Sequence, residues 1–329
     1  MLLPVRDGAA TLADCLDSLA VQTLADHEVV VVDDGSSDAT AALLAARVRT
    51  DGRLRVTRTP ARGLVAALNA GLALARAPLL ARMDADDVCA PERLALQAQR
   101  LRRDPAVDVL GCRVELVGAP GSDNQGMHSY VAWQNRLLDH DTIVRDLFVE
   151  SPLTHPSVML RTRTLRRLGG YRQFDGPEDY DLWLRAHAAG LRFGKLPQTL
   201  LRWRDGASRL TRCDARYAAE RFRALKIAAL EAGTLRGRPV VVWGAGPIGK
   251  GWARALGARG HLVAAFVEVA AGRIGQRIHG APVVSLSGVD QLRGALHLAA
   301  VGQPGARERI RREARRHGLR DGVDLLAVA

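Results

Sequence analysis

Asp84-Ala85-Asp86 follows a short apolar run, Leu79 to Met83, and stands just before Pro91-Glu92-Arg93-Leu94. In an extended segment alternate side chains point the same way, so both carboxylates can address one metal ion. Magnesium and manganese prefer oxygen ligands and often join one or two carboxylates to substrate phosphates. An Asp-x-Asp alone is a weak signal, because surface turns are rich in aspartate. A second acidic run, Asp33-Asp34-Gly35-Ser36-Ser37-Asp38, follows the apolar stretch Val29 to Val32. A third, Glu178-Asp179, opens a helix whose apolar face is Tyr180, Trp183, Leu184 and His187. Acids are favoured at a helix start by the dipole, and by residue type alone this pair reads as a cap. Far downstream, Gly244, Gly246 and Gly249 spell G-x-G-x-x-G between a strand and a helix, and Glu268 ends the next strand 24 residues after Gly244. That is the context of a dinucleotide fingerprint, with phosphate at the helix start and the acid on a ribose.

The elements that carry these residues alternate. Leu2, Leu3 and Val5 form the tail of a first strand, interrupted by Pro4, and Leu12, Cys15, Leu16 and Leu19 recur at helical spacing. Val29 to Val32 is a continuous apolar run of the kind buried on both faces. Helices are expected over about 40–48, 64–75 and 91–103, with strands over 54–57 and 79–83. Such alternation predicts a parallel sheet covered on both sides, with ligands beyond the carboxyl ends of the strands. Both acidic clusters fall at such ends. The middle, 107–204, is less regular, with short strands expected over 107–110, 114–117 and 157–160 and a polar loop over 118–126. A helix over 215–232 precedes a boundary at 233–238. A strand over 240–243, a helix over 248–258 and a strand over 262–267 then begin a separate α/β unit.

Bulk composition is that of a soluble globular chain of 329 residues, with a net charge of +12. The basic residues are 44 arginines and only three lysines, Lys195, Lys226 and Lys250. From Arg236 onward 15 basic residues face 6 acids, and the remainder of the chain carries 32 against 29. A basic tail can meet phosphates, anionic headgroups or nucleic acid. It lacks the aromatic-rich stripe of single-strand binders, so a nucleic-acid partner is not expected. Cys15, Cys89, Cys112 and Cys213 show no metal-ligand or redox spacing, which fits a reduced cytoplasmic setting. No apolar run approaches the roughly 18 residues of a membrane span. Any membrane contact is expected to be peripheral, at the inner face.

Several ordered motifs together resemble family 2 glycosyltransferases, which have the A-type nucleotide-sugar-binding fold. They are LPVRDGAATLADCLDSLAVQT, EVVVVDDGSSDAT, GLVAALNAGLALARAPLLARMDADD, APERL, SPLTHPSVMLR, GGY, PEDYDLWLRAHAAG and LPQTLLRWR, and they cover roughly residues 1–210. The resemblance implies roles for individual residues. Asp34 meets the base or ribose of the donor, with Asp33 beside it. Asp86 is the main metal ligand, with Asp84 assisting at the metal and the donor. Asp179 is the general base for the acceptor hydroxyl. It further implies inversion at the anomeric carbon and a nucleoside-diphosphate sugar with Mg²⁺ or Mn²⁺. The acceptor would be a glycan or a lipid-linked molecule in surface-polysaccharide or glycolipid synthesis.

Bland readings stand beside these. Asp38 is expected to cap or turn the chain, and Asp87 also suits a cap. His155 admits substrate contact or loop ordering alike, and Glu178 admits substrate contact or a helix-cap role. Trp183 is expected in the core, and Arg62 and Arg82 suit phosphate but are weak signals in so arginine-rich a chain. Met1 stands almost at the first strand's Leu-Pro, where members of the family carry a few more residues. The expected organisation is a catalytic domain over 1–232 and a small Rossmann-like domain over 236–329. The latter resembles domains found beside sugar-modifying enzymes; it is expected either to bind a nucleotide or nucleotide-sugar, with the phosphates over Gly244–Gly249 and the ribose near Glu268, or to be a vestigial fold used for docking. Two other functions fit parts of the pattern. Nucleotidyl transfer would need a longer glycine-rich loop than Arg6-Asp7-Gly8-Ala9. A non-catalytic nucleotide-binding regulator would not need Asp84, Asp86 and Asp179 together.

Overall fold

A computed structural model describes residues 1–118, 124–206 and 214–329. Cys213 and most of the expected 118–126 loop lie outside them. The chain forms two compact units, Met1–His140 with Pro152–Tyr217, and Asp141–Ser151 with Ala218–Ala329.

The first unit begins with three parallel strands, β1 (Leu2–Val5), β2 (Val29–Asp33) and β3 (Leu54–Arg58), in that spatial order. All five residues of β2 are buried, as an unbroken β-branched run requires. The first strand runs through Pro4, which stands opposite Val32; proline fits an extended backbone and costs the ladder one donor. The helix Leu12–Ala20 buries Leu12, Cys15, Leu16 and Leu19, the stripe expected from their spacing. The helix Leu64–Leu74 comes so close to the sheet that a Cβ on Gly71 would lie 2.0 Å from Leu2 Cδ1. Only glycine permits that approach.

The remaining strands correct the expectation of a wholly parallel sheet. They are β4 (Leu79–Ala81), β5 (Val88–Cys89), β6 (Val109–Val117), β7 (Met159–Arg161) and β8 (Phe193–Arg204). They form a mixed sheet in the order β4-β7-β6-β8-β5, in which β7 is antiparallel to β4 and β6, and β5 to β8. A parallel bridge between Leu2 and Arg82 links it to β1. The two short strands expected in 107–117 are one strand. Its pairing with β8 shifts register around Cys112–Val114, which is where the apolar pattern breaks. The strand expected over 157–160 is a 3₁₀ turn, His155–Ser157, followed by β7. A helix, Gln125–Arg136, was not anticipated; Asn124 caps it by accepting from the Met127 N–H. The helix expected from 215 begins at Ala219, after a 3₁₀ turn at Ala215–Tyr217.

The second unit holds β9 (Val240–Trp243), β10 (Val263–Val267), β11 (Arg277–Ile278), β12 (Ala281–Val284), β13 (Leu296–Ala299) and β14 (Leu325–Ala327). Five strands run parallel in the order β12-β10-β9-β13-β14, with β11 as an antiparallel edge. This is the doubly wound order, and its switch point lies between β9 and β13. The helix Ala219–Ala232 and the segment 141–151 count with this unit. Asp146 in that segment is buried and accepts from Arg311 Nη2 at 2.5 Å. The Lys226 ammonium donates to Val149 O at 2.7 Å. Among the described residues no helix is long and apolar enough to cross a membrane.

Candidate active site

In the first unit, four loops leave the carboxyl ends of β1, β2, β3 and β4, and polar contacts latch them side by side. Asp7, at φ 50°, accepts from the Ser37 N–H at 2.7 Å through Oδ1, and its own N–H donates to Ser36 Oγ. The Gly8 N–H donates to Thr40 Oγ1, and the Ala9 N–H to Asp38 Oδ2. Asp38 also accepts from the Thr40 N–H, the turn role expected of it. Hydrogen bonds from Ser37 and Thr40 hold the Asp7 and Asp38 carboxyls below the usual range. Thr11 Oγ1 donates to Ala85 O, and the buried Cys15 thiol to Asp84 O. Burial, reinforced by the carboxylates around it, pushes that thiol's pKa well up.

Asp33 and Asp34 end β2 buried. Asp33 Oδ1 accepts from the Ser36 N–H at 2.8 Å, and Oδ2 lies 3.5 Å from Arg58 Nε. Asp34 is 3% exposed. Its Oδ1 accepts from the Arg62 N–H at 2.9 Å and from Thr59 Oγ1 at 3.2 Å, and its Oδ2 from the Gly63 N–H at 2.8 Å. Asp34 is thus the anchor of the 59–63 loop. The Arg62 side chain is exposed beside it.

Beyond β4, carboxylate oxygens of Asp84, Asp86 and Asp87 lie within 4.8 Å of one another. Asp84 and Asp86 are half-buried and Asp87 is buried. Asp87 Oδ1 accepts from the Arg204 N–H at 2.9 Å, which ties the turn to β8. Asp84 is ion-paired with the buried Arg82. Burial opposes the Arg82 charge, but Asp84 more than offsets it and holds the guanidinium above its ordinary pKa. Three like charges kept this close form an all-oxygen set of the kind a hard cation requires.

Arg82 also belongs to a second, buried group. Its charge acts on His155 and Tyr171, and Glu178 acts on it. His155 Nε2 lies 3.0 Å from the Tyr171 hydroxyl, and Nδ1 3.6 Å from Glu178 Oε1. Burial and then Arg82 push the His155 pKa down, so the ring is neutral near pH 7. Burial pushes the Tyr171 and Tyr217 phenols up, so both stay protonated. A Tyr171 proton on Nε2 fits the tautomer whose Nδ1–H faces Glu178. Burial alone would raise Glu178, but His155 and the Tyr217 hydroxyl, donating at 2.6 Å, outweigh it and hold the carboxyl down. Glu178 and His155 are therefore internal partners, bound to each other and to two tyrosines.

Asp179 lies half-buried in the first turn of the helix Glu178–Ala188, next to this group. Its Oδ1 accepts from the Tyr180 N–H at 2.7 Å, and its charge acts on both Tyr171 and Tyr217. Trp183 is fully buried, as expected of a core residue. The structure therefore joins Asp84, Arg82, His155, Glu178 and Asp179 through one chain of neighbours, and Asp33, Asp34 and Arg62 line adjoining loops. Sequence reasoning missed Tyr217 and the anchoring by Tyr171. The GGY motif contained Tyr171 without revealing its role. Tyr217 sits in no motif.

In the second unit the glycine turn is built as the spacing implied. Gly244 has φ 103°, and a Cβ there would lie 2.4 Å from Val301 Cγ2. A Cβ on Gly249 would lie 1.9 Å from Gly244 O. Glu268 Oε2 accepts from the Ala245 N–H at 3.1 Å, and Oε1 from the N–H groups of Val269 and Ala270.

The first unit thus carries acidic loops at the carboxyl ends of its strands and a mixed sheet beside three parallel strands. A family model described as glycosyl transferase family 2 matches residues 1–169, and the chain belongs to that family. Its fold is the A-type glycosyltransferase fold. The amylovoran biosynthesis glycosyltransferase AmsE of Erwinia amylovora is 31% identical over 240 residues, spanning 70% of this chain and 86% of the relative. Among solved structures, S. aureus TarS 1-349 in complex with UDP-GlcNAc matches with a TM-score of 0.55 at 20% identity, over 70% of this chain and 65% of that one. The mannosyltransferase PcManGT of Pyrobaculum calidifontis, in complex with GDP-Man and Mn²⁺, matches with a TM-score of 0.53 at 20% identity, over 78% and 73%.

Proposed function

We propose that this glycosyltransferase moves a sugar from a nucleoside-diphosphate sugar to an acceptor hydroxyl with inversion, using Mg²⁺ or Mn²⁺. The observation that carries the reading is the convergence of Asp84, Asp86 and Asp87 within 4.8 Å at a strand end. Asp86 and Asp84 would hold the cation, which when bound offsets charge on the departing diphosphate. Asp34 shapes the neighbouring loop so that Arg62 and the loop backbone flank the nucleotide, with Asp33 beneath. Asp179 accepts the hydroxyl proton as the oxygen bonds to the anomeric carbon and the bond to the diphosphate breaks. One displacement of this kind inverts the carbon. Glu178, held by His155 and Tyr217, fixes the first turn of the helix that carries Asp179.

The fold's relatives include one solved with UDP-GlcNAc and one with GDP-Man and Mn²⁺, which supports a nucleotide-sugar donor. AmsE is named for amylovoran biosynthesis, which supports a glycan or lipid-linked acceptor in polysaccharide assembly. A panel of nucleotide sugars, scored by thermal stabilisation with and without Mn²⁺, tests the reading. It predicts stabilisation by at least one donor that requires the metal. No stabilisation by any donor, or stabilisation indifferent to Mn²⁺, would contradict it.

A further inference from the structure

The second unit contains a cavity of about 1110 Å³, lined by none of the residues assigned to the transfer reaction. It opens where β9 and β13 part, at the switch point, where doubly wound sheets take their ligands. Gly244 and Gly246 line one side, and the helix Ala306–Arg316 lines another.

The glycines differ in what the fold demands. Gly244 and Gly249 are forced by the clashes described above. Gly246 is not: its backbone is extended, at φ −81° and ψ −173°, and the nearest atom to a Cβ there is Arg273 Nη1 at 3.9 Å. A Cβ at Gly246 would make only ordinary contact with the protein and would enter space beside the cavity. Pro247 has no N–H and the Lys250 N–H already donates to Gly246 O, so the first helical turn offers the N–H groups of Ile248 and Gly249, which have no intrahelical acceptors.

The charges of the wall are selective. Four arginines and two glutamates line it. Arg273 pairs with Glu268 at 3.2 Å, and Arg316 with Glu313 at 2.5 Å. That leaves Arg309 and Arg312, both exposed and without an acidic partner among the described residues. The surplus is two positive charges, beside a glycine turn that presents backbone donors. Glu268 already accepts three backbone N–H groups and an arginine, which fills a carboxylate's capacity and leaves none for a ribose diol. The site is therefore weighted toward the anion rather than toward the ribose. Ile248 and Val269 line the same cavity at 42% and 74% exposure, an apolar surface suited to a flat base.

We propose that this cavity is a second binding site, separate from the donor site, for a nucleoside diphosphate. The diphosphate lies against the Gly244–Gly249 turn with Arg309 and Arg312 as counter-charges, and the base lies on the Ile248 and Val269 side.

Calorimetric titration of the full chain in EDTA with UDP, GDP, ADP and inorganic pyrophosphate tests this. At least one nucleoside diphosphate binds with a Kd below about 1 mM and more tightly than pyrophosphate. Arg309→Gln with Arg312→Gln weakens that binding by about tenfold or more, the worth of a charge-assisted contact. Gly246→Val does the same by occupying the approach to the turn. Both variants keep the native melting profile, since the arginines are exposed and Gly246 has room. Arg254→Gln with Arg315→Gln removes equal charge from exposed residues outside the cavity and leaves binding unchanged. Absence of binding, equal affinity for pyrophosphate, or an equal loss in the Arg254 and Arg315 control would each overturn the proposal. Because no metal is present and Asp86 is untouched, these results stand apart from the outcome for the transfer reaction.

Discussion

Replacing Asp34 with asparagine separates two roles that are easily confused, contact with the nucleotide and construction of the loop that meets it. The carboxylate accepts from the N–H groups of Arg62 and Gly63 on different oxygens, at 2.9 and 2.8 Å, while only 3% exposed. Asparagine keeps one acceptor oxygen and turns an amide NH₂ toward the other backbone donor. One buried N–H loses its partner, which costs about 1–3 kcal/mol, and the surviving bonds fall from charge-assisted to neutral strength. Together these come to about 2–4 kcal/mol. A unit of this size loses about 2–4 °C of Tm per kcal/mol, so the unfolding transition of the unit that carries Asp34 should drop by about 5–15 °C without any nucleotide present. Differential scanning calorimetry of the ligand-free protein reads this directly, and donor KM should rise in the same variant. An unchanged melting profile with donor affinity abolished would refute the loop-anchor argument and make Asp34 a ligand contact alone.

Asp179→Asn should lower kcat by about 10²–10⁴-fold with donor affinity nearly unchanged, the usual worth of a general base; equal losses in both would make Asp179 a donor-site residue. Lys195 is buried and donates to Gln134 O and Pro152 O, and burial lowers its pKa to about 7. Since the unfolded state holds this proton up to about pH 10.5, wild-type stability relative to Lys195→Met should rise between pH 7 and 10. A flat difference in denaturant midpoints over that range would remove the basis for this. Lys195→Arg should destabilise by about 2–5 kcal/mol at pH 8, because a guanidinium cannot shed its proton in the same place. Asp146→Ala leaves Arg307 without its acid and the buried Arg311 with Asp321 alone, at 3.0 Å, and should cost the second unit about 1–3 kcal/mol, read as earlier unfolding of that unit in urea.

Much of the site was legible because its acids follow strands whose apolar runs are unmistakable. Val29–Val32 and Leu79–Met83 announce their strands, and the residues that end them are the loop residues of the site. What remained hidden depends on partners far apart in sequence. The loop-anchoring bonds of Asp34 are invisible locally, because its oxygens accept from residues 28 and 29 positions away. Glu178 looked like a helix cap, and its partners His155 and Tyr217 are reached only through folding. Polar residues at Gln198 and Thr199 concealed the long strand β8, since an exposed stretch breaks the alternation that marks a strand. The membership of segment 141–151 in the second unit rests on Asp146 meeting arginines about 160 residues later, a pairing no periodicity records. The scarcity of lysine was visible, but its meaning was not. Lys195 and Lys226 are buried donors to backbone carbonyls, and burial lowers their pKa values to about 7 and about 8. An arginine would keep its charge there.

In the proposed function, Asp86 and its neighbours make donor turnover depend on a metal ion. The measurement that bears on it most directly is the Mn²⁺ dependence of donor turnover in wild type and Asp86→Ala, using the donor that stabilises the protein best. Wild type should turn over with Mn²⁺ and stop in EDTA, while Asp86→Ala should melt as wild type does and show no turnover at any Mn²⁺ concentration. Normal turnover by Asp86→Ala, or wild-type turnover that persists in EDTA, would contradict the account.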